Sequence, residues 1–360
     1  MSIYIRKNIR DIDGYTPGEQ PREKNLIKLN TNENPYPPSP KAMEFLKGFN
    51  SEKLRLYPDP MADNLRKTIA ELHGFHIDNI IAGNGSDDIL NIAIRTFLNE
   101  DEKIVCFDPS YSLYPILARL QNANTHSIDL SEDFSLPENF LTSGLDKLSE
   151  QRKLKLFLIA NPNAPTGNAF LIKDIEVICS KFKGIVLVDE AYADFAEDNA
   201  MRLLEKFDNL IISRTLSKSY SMAGVRLGWA VSNKSIIREM IKVKDSYNVN
   251  MISQFLAIEA LKDRQYFAET VSRIKKARSI LVHELVKLDF KIIPSQANFL
   301  FVSPPEGNGN DLFLFLRTKN IIVRYFPAPK TKAFIRITIG REEDMQELLN
   351  CCREYLKTRQ

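Results

Sequence analysis

Four short apolar runs, each breaking off into polar or small residues, constrain the fold of this chain most. Lys103–Phe107, Leu154–Ala160, Ile185–Val188 and Leu210–Ile212 are apolar through most of their length instead of alternating. A strand that is apolar on both faces is buried on both faces, the condition of a parallel sheet covered by helices. Helical stretches lie between and around them. In Met61–Phe75, Leu65, Ile69 and Leu72 fall on one face, as an amphipathic helix requires. Tyr114–Asn122 and Ile172–Phe182 read the same way, Ile80–Ala82 is a further strand, and a helix opens with Ile89 and runs to Phe97. Residues 129–150 read as loop with one short helix. The alternation predicts an α/β unit: a large, mostly parallel sheet sandwiched by helices.

The texture changes near residue 260. Ser235–Leu261 is a broken helical region and Tyr266–Leu288 a long helix rich in Lys and Arg. Phe290–Ile293, Phe299–Val302, Ile321–Tyr325 and Phe334–Ile339 then read as short strands around one helix, Asp311–Lys319, before a final amphipathic helix, Glu342–Thr358. This predicts a smaller α+β domain. A chain of 360 residues also exceeds what one core usually organises. The expected division is an N-terminal arm at 1–35 joining the small domain, a large domain at 36–260, and the small domain at 261–360. Proline density up to residue 40 predicts extended or turn structure, either an arm laid over another surface or a disordered one.

Composition excludes some partners. A net charge of +3 is too balanced for nucleic acid or an anionic membrane as main partner. No apolar run reaches the ~18 residues of a membrane span. The four cysteines, two of them adjacent at Cys351 and Cys352, suit neither a disulfide framework nor a zinc site. The expected location is the cytoplasm. The spacing of His73 and His76, with no matching carboxylate or cysteine set, predicts no metal site.

Open α/β sheets place ligands beyond the carboxyl ends of their strands, and the polar residues at those ends are the candidate site. Gly83-Asn84-Gly85-Ser86-Asp87 lies between strand and helix. It is either a phosphate-binding turn, with glycines admitting close approach to free helix amides, or an ordinary turn capped by Ser86 or Asp87. Tyr111 would stack on a flat ring or pack in the core. Asn161 would hydrogen-bond a phenolic oxygen or hold a turn. Asp189 ends a buried strand, so its carboxylate needs a partner, which a protonated pyridine nitrogen would supply. Tyr192 could reach the oxygen of such a ring. In Asn209–Trp229, Lys218 sits among Ser213, Thr215, Ser217, Ser219 and Ser221, with Arg226 eight residues on. Hydroxyls and a guanidinium make an anion cradle. A poorly solvated lysine beside a cradled phosphate, its pKa lowered, is the arrangement that holds pyridoxal phosphate as a Schiff base. The plain alternative is a loop with one solvated lysine.

Gly14-Tyr15-Thr16-Pro17-Gly18, Leu29-Asn30-Thr31-Asn32-Glu33-Asn34-Pro35, Tyr57-Pro58-Asp59-Pro60, Asn84-Gly85-Ser86-Asp87, Asn161-Pro162-Asn163-Ala164-Pro165-Thr166-Gly167, Asp189-Glu190-Ala191-Tyr192, Thr215-Leu216-Ser217-Lys218, Val323-Arg324-Tyr325-Phe326 and Ile335-Arg336-Ile337-Thr338-Ile339-Gly340 carry a resemblance over nearly the whole chain. It resembles the fold-type I pyridoxal-phosphate enzymes of the aspartate-aminotransferase superfamily, and within them the histidinol-phosphate aminotransferases. The resemblance implies a homodimer that moves an amino group reversibly between L-histidinol phosphate and 2-oxoglutarate, giving imidazole-acetol phosphate and L-glutamate, a step of histidine biosynthesis. It implies that Lys218 carries the cofactor, Asp189 meets its pyridine nitrogen, Asn161 and Tyr192 its ring oxygen, and Tyr111 its ring face. Gly85, Ser86, Asp87, Thr215, Ser217 and Arg226 would surround its phosphate, with Tyr57 reaching the neighbouring subunit's cofactor phosphate. Arg336 would hold the amino donor's carboxylate, and Arg324 and Tyr15 would lie near the substrate's phosphate. Ser219 after the lysine, Lys330-Thr331, and Arg341-Glu342 depart from the family pattern. The rival functions are an aromatic or broad-specificity aminotransferase and a threonine-phosphate-decarboxylase-like enzyme. A regulator with an aminotransferase-like sensor would need a DNA-binding module, for which residues 1–40 are too short and proline-rich.

Overall fold

The computed structural model describes residues 4–21 and 25–359. Strand β1 (Ile27–Lys28) lies in the N-terminal segment. Strands β2 (Ile80–Gly83), β3 (Lys103–Asp108), β4 (Asn124–Asp129), β5 (Leu154–Ala160), β6 (Ile185–Asp189), β7 (Leu210–Thr215) and β8 (Gly228–Ser232) form one seven-stranded sheet in the order β2-β8-β7-β6-β5-β3-β4. Only β8 runs against the others: it pairs antiparallel with β2 and β7, and the remaining pairs are parallel. The carboxyl ends of six strands therefore point the same way. Strands β9 (Lys291–Ile293), β10 (Phe299–Ser303), β11 (Ile321–Ile322), β12 (Arg324–Tyr325) and β13 (Ile335–Thr338) follow. Four of them make a second sheet in the order β12-β13-β10-β9, while β11 pairs in parallel with β1.

The two-sided burial expected of the central strands follows their alternation. In β5, Leu156 and Leu158 face a cluster completed by helix Ser86–Phe97 and helix Lys234–Val243. Phe157 and Ile159 face the opposite cluster, with helix Ile172–Lys181 and its Ile175 and Ile178. None of these four β5 side chains is exposed, and each burial of this kind contributes about 1.5–3 kcal/mol before chain entropy is charged against it. A third cluster joins Val271, Ile274 and Leu281 of helix Arg264–Val286 to Leu300, Ile335 and Ile337 of the small sheet, and takes in Leu29 and Tyr36 from the N-terminal segment.

Several elements differ from the sequence reading. Strand β4 is the polar edge strand, with only partial burial, so it lacks an apolar run. Strand β8 begins at Gly228 and shares the stretch that carries the candidate lysine. The run Ile321–Tyr325 is not one strand: its first half pairs with β1 and its second with β13. Within the proline-dense N-terminus lies a short helix, Lys7–Arg10. Helix Pro40–Lys47 starts just after it, where Ser39 accepts from the Lys41 amide and Pro40 occupies the first turn, a position that needs no N–H donor.

Candidate active site

The carboxyl ends of the large sheet and one wall of the small sheet enclose a cavity of about 490 Å³. Tyr15, Ser86, Asp87, Tyr111, Asp189, Tyr192, Thr215, Ser217, Lys218, Arg226, Arg324 and Arg336 line it. Gly85 directly precedes the lining Ser86, and Asn161 and Tyr57 do not line it.

Asp189 is buried at the end of β6, where Tyr114 and Ser213 donate to it, each at 3.1 Å. Burial pushes its carboxyl up to about 6; the two hydroxyls pull the other way without cancelling it. No cation pairs with it among the described residues. Lys218 follows β7 by three residues, and its Nζ donates to the Thr31 carbonyl at 3.1 Å. Burial and then the Arg336 charge lower its pKa to about 8, against the opposing pull of Glu33 and Asp87. Asn34 grips the backbone at and just after that lysine, donating to the carbonyls of Lys218 and Ser219 at 3.1 and 3.2 Å.

One end of the cavity is built for an anion. Helix Ser86–Phe97 opens without a side-chain cap, so its first amides remain available. Gly85 has φ +87°, and a Cβ there would come within 2.5 Å of Arg226 Nη2. Gly228 lies so close that its Cβ would stand 2.4 Å from the Ser86 nitrogen. The two glycines thus let a guanidinium and a helix N-terminus converge. Arg226 reaches Ser217 Oγ at 3.3 Å and Asp87 Oδ2 at 3.4 Å, while Tyr111 donates to Asp87 Oδ1 at 3.1 Å. Thr215 and Ser217 hydroxyls are 2.9 Å apart.

The opposite wall carries two arginines. Arg324 and Arg336 are direct partners across β12 and β13. Arg336 donates to the Asn30 carbonyl at 2.9 Å, yet its Nε is enclosed without a partner. Burial, with Arg324's charge adding to it, pulls its guanidinium below the ordinary value. Arg324 donates to the Thr16 and Pro17 carbonyls, each at 3.2 Å. Tyr15 stands edge-on to Tyr111, ring centres 6.1 Å apart.

Asn161 requires a correction. Strand alternation puts Ala160 on the cavity face beside its register partner Asp189, so Asn161 turns to the other face. There its Oδ1 accepts from the Phe170 amide at 2.8 Å and its Nδ2 donates to the Phe170 carbonyl at 3.3 Å. Both polar atoms are committed to closing the loop. Tyr57, 79% exposed, stacks on Tyr247 at 4.5 Å and does not line the cavity of its own chain.

The structure also adds residues that sequence reasoning did not assign. Tyr114 was hidden by its place on an apolar helix face. Ser213 was legible as the register partner of Asp189 only once strand pairing was known. Behind the cavity, Arg214 donates to Glu190 at 2.7 Å and Asp194 at 2.8 Å, and Asp194 accepts from the departing residue Ser219. Lys330, another departure, bridges Asp108 and Asp129 at the ends of β3 and β4.

A buried acid, a low-pKa amine, an uncapped helix beside an arginine, and a paired-arginine wall define a site for amino-group chemistry on anionic substrates. The chain belongs to the aminotransferases of class I and II, whose family model matches residues 24–351. More narrowly, it falls among the histidinol-phosphate aminotransferases. It is 42% identical over 353 residues to the histidinol-phosphate aminotransferase of Microcystis aeruginosa, covering 98% of this chain and 99% of that one. With that of Citrifermentans bemidjiense it shares 42% over 353 residues, covering 98% of each. Its fold matches the histidinol-phosphate aminotransferase of Sinorhizobium meliloti, solved in complex with pyridoxal-5'-phosphate, with a TM-score of 0.90 at 21% identity over 100% of this chain and 99% of that one.

Proposed function

We propose that this chain exchanges an amino group between L-histidinol phosphate and 2-oxoglutarate with pyridoxal phosphate as cofactor, the transamination of histidine biosynthesis. The observation that carries the substrate assignment is the cross-strand pair Arg324 and Arg336, with an orphaned Nε, in the cavity wall. One substrate presents a phosphate and the other two carboxylates. A guanidinium fork accepts either anion. Arg336 is our carboxylate site, and Arg324 with Tyr15 our site for the substrate phosphate.

The residues fit the cofactor. The end of the cavity where Arg226 and the helix N-terminus converge, an approach that Gly85 and Gly228 permit, suits its phosphate, held by Arg226, the hydroxyls of Ser86, Thr215 and Ser217, and the first amides of helix Ser86–Phe97. The Asp87 carboxylate would repel a phosphate; we assign it to holding Arg226 and the Tyr111 hydroxyl. Asp189 would meet the ring nitrogen, Tyr111 the ring face and Tyr192 the ring oxygen. Bound pyridoxal phosphate supplies an electron sink for the carbon that carries the amino group. Asp189 keeps that sink charged by holding a proton at the ring nitrogen. Lys218 takes the proton from the substrate carbon and returns it; an amine with a pKa near 8 exists in both required forms close to neutrality.

We assign Tyr57 to the site of a second copy. Leu54, Leu56 and Tyr57 are exposed together on one short segment, a pattern that supports a homodimer. The expected division at 1–35, 36–260 and 261–360 belongs to the same reading, with the cavity between the larger units. Four cysteines that are all buried and unpaired support a cytoplasmic location. The test compares amino transfer to 2-oxoglutarate from histidinol phosphate, phenylalanine and tyrosine. Preference for histidinol phosphate supports the assignment. Equal rates would make this a broad-specificity aminotransferase, and release of carbon dioxide a decarboxylase.

A further inference from the structure

We propose that Asn32 is a positioning residue that aims the hydroxyl proton of Tyr192 into the cavity. Its amide is the hydrogen-bond partner of that hydroxyl: Asn32 Nδ2 donates to Tyr192 Oη at 2.9 Å. A phenol has one proton to give and also accepts. Because the Tyr192 oxygen accepts from Asn32, its own proton is left for a cavity acceptor.

The orientation of the Asn32 amide is itself locked. Thr338 on β13 donates to Asn32 Oδ1 at 3.2 Å and accepts from the Asn32 backbone N–H at 3.0 Å. The Thr338 hydroxyl accepts from the Asn32 N–H and gives its single proton to Oδ1, and with Oδ1 turned to Thr338, Nδ2 is turned to Tyr192. Asn298 holds the Asn32 carbonyl at 3.1 Å. Asn32 and Thr338 are both buried, so water does not compete for these bonds. The chain Thr338, Asn32, Tyr192 therefore runs in one direction and ends in the cavity.

The correction at Asn161 raises the weight this chain carries. With the Asn161 amide committed to Phe170, Tyr192 is the donor left, of the two expected, for the ring oxygen of the cofactor. The inference rests on the proposed function in that respect. The charged groups facing Tyr192 are Asp189 from β6, Asp87 from helix Ser86–Phe97, Arg336 from β13 and Lys218 from the loop after β7. Among the described residues none of these four hydrogen-bonds the hydroxyl, so Asn32 sets its direction.

A donor to the ring oxygen stabilises that oxygen's deprotonated form, so it lowers the pH midpoint of the near-visible absorbance change of the cofactor-loaded enzyme. Removing the donor raises it. The experiment titrates that band in wild type, Asn32→Leu, Asn32→Asp, Tyr192→Phe and the double variants. Leucine removes both amide functions at similar size. Aspartate only accepts, so Tyr192 turns its proton away from the ring oxygen. The expected result is a midpoint raised by about one unit in Tyr192→Phe, the scale of one charge-assisted hydrogen bond, raised by less in Asn32→Leu, which keeps the phenol proton but no longer aims it, and raised in Asn32→Asp. In the Tyr192→Phe background, Asn32→Leu should add no further shift. An unchanged midpoint in Asn32→Leu beside a raised one in Tyr192→Phe overturns the proposal, as does a full, additive shift in the double variant. If Asn32→Leu fails to fold, the Asn32→Asp pair decides by the same comparison. A wild type that acquires no such band overturns the proposed function as well, which separates the two failures.

Discussion

Replacing Asp189 by Asn should stabilise the cofactor-free protein while disabling the enzyme. The carboxyl of Asp189 is raised from its ordinary 3.8 to about 6, first by burial. A group whose folded pKa is raised adds stability below its unfolded pKa, and that stability is lost as pH rises through the folded pKa. Between pH 3.8 and 6 the native state holds a proton that the unfolded chain has released. Over that window the wild type should lose about 3 kcal/mol, and above it the loss is complete. Asparagine keeps the shape and never carries the charge: its oxygen accepts from one of the two hydroxyls, and its NH2 donates to the other, whose oxygen turns to accept. The difference in unfolding free energy between Asp189→Asn and wild type should therefore grow in favour of the variant from pH 4 to 6, then level off. Urea unfolding of both cofactor-free proteins, at one protein concentration because subunit association would shift the result, measures it. With pyridoxal phosphate bound, the wild type should recover more stability than the variant, since only a carboxylate pairs with a protonated ring nitrogen. A pH-independent difference between the two cofactor-free proteins would refute the reasoning.

Other outcomes follow from the same geometry. Lys218→Ala should abolish the yellow colour and cut turnover by roughly 10⁴-fold or more, the upper range for an acid–base group. Because burial and Arg336 lower the lysine to about 8, cofactor loading should accelerate with rising pH up to about 8 and then level, where an ordinary lysine would keep rising towards ~10.4. Arg336→Ala should raise KM for glutamate by roughly 10- to 10²-fold, as loss of a charge-assisted bond of about 1.5–3 kcal/mol implies, with Arg336→Lys in between; Arg324→Ala should weaken histidinol phosphate more than glutamate, and steady-state kinetics with both substrates checks each. Arg214→Met leaves the buried Glu190 and the partly exposed Asp194 without their shared cation, and should cost about 3–5 kcal/mol in urea unfolding.

Where the sequence spoke, it did so through physics that leaves a mark on residue type. Strands β5, β6 and β7 were legible because burial on both faces demands apolar residues throughout. Strand β4 was not, because an edge strand with one neighbour tolerates Asn, Thr, His and Ser. Lys218, Asp189 and the arginine pair stood out as charges at the ends of apolar runs. Asn161 did so too, but a residue's position at a strand end says nothing of the face it takes. Alternation past Ala160 settled that, and it required the register with Asp189. Tyr114, Ser213 and Asn32 escaped because their roles exist only in pairs brought together by pairing and packing.

The N-terminal segment shows why an oddity of composition and the working of the site are one fact. Proline at 35, 37 and 38 denies this stretch a helix, and only two of its residues join a strand. A helix would have consumed its carbonyls and amides internally. Held extended instead, residues 29–34 offer them to the site. Leu29 accepts from the Thr338 amide at 2.9 Å, Asn30 from Arg336, and Thr31 from Lys218. Asn32 and Asn34 then reach Tyr192 and the Lys218 backbone with their side chains. A helix over these residues could not make all five contacts, since its successive residues point around an axis rather than along one edge. The segment therefore ties the arginine of the small sheet to the lysine and tyrosine of the large one. Its asparagines are small amides that bond in two directions at once, which is what a strip between two sheets requires.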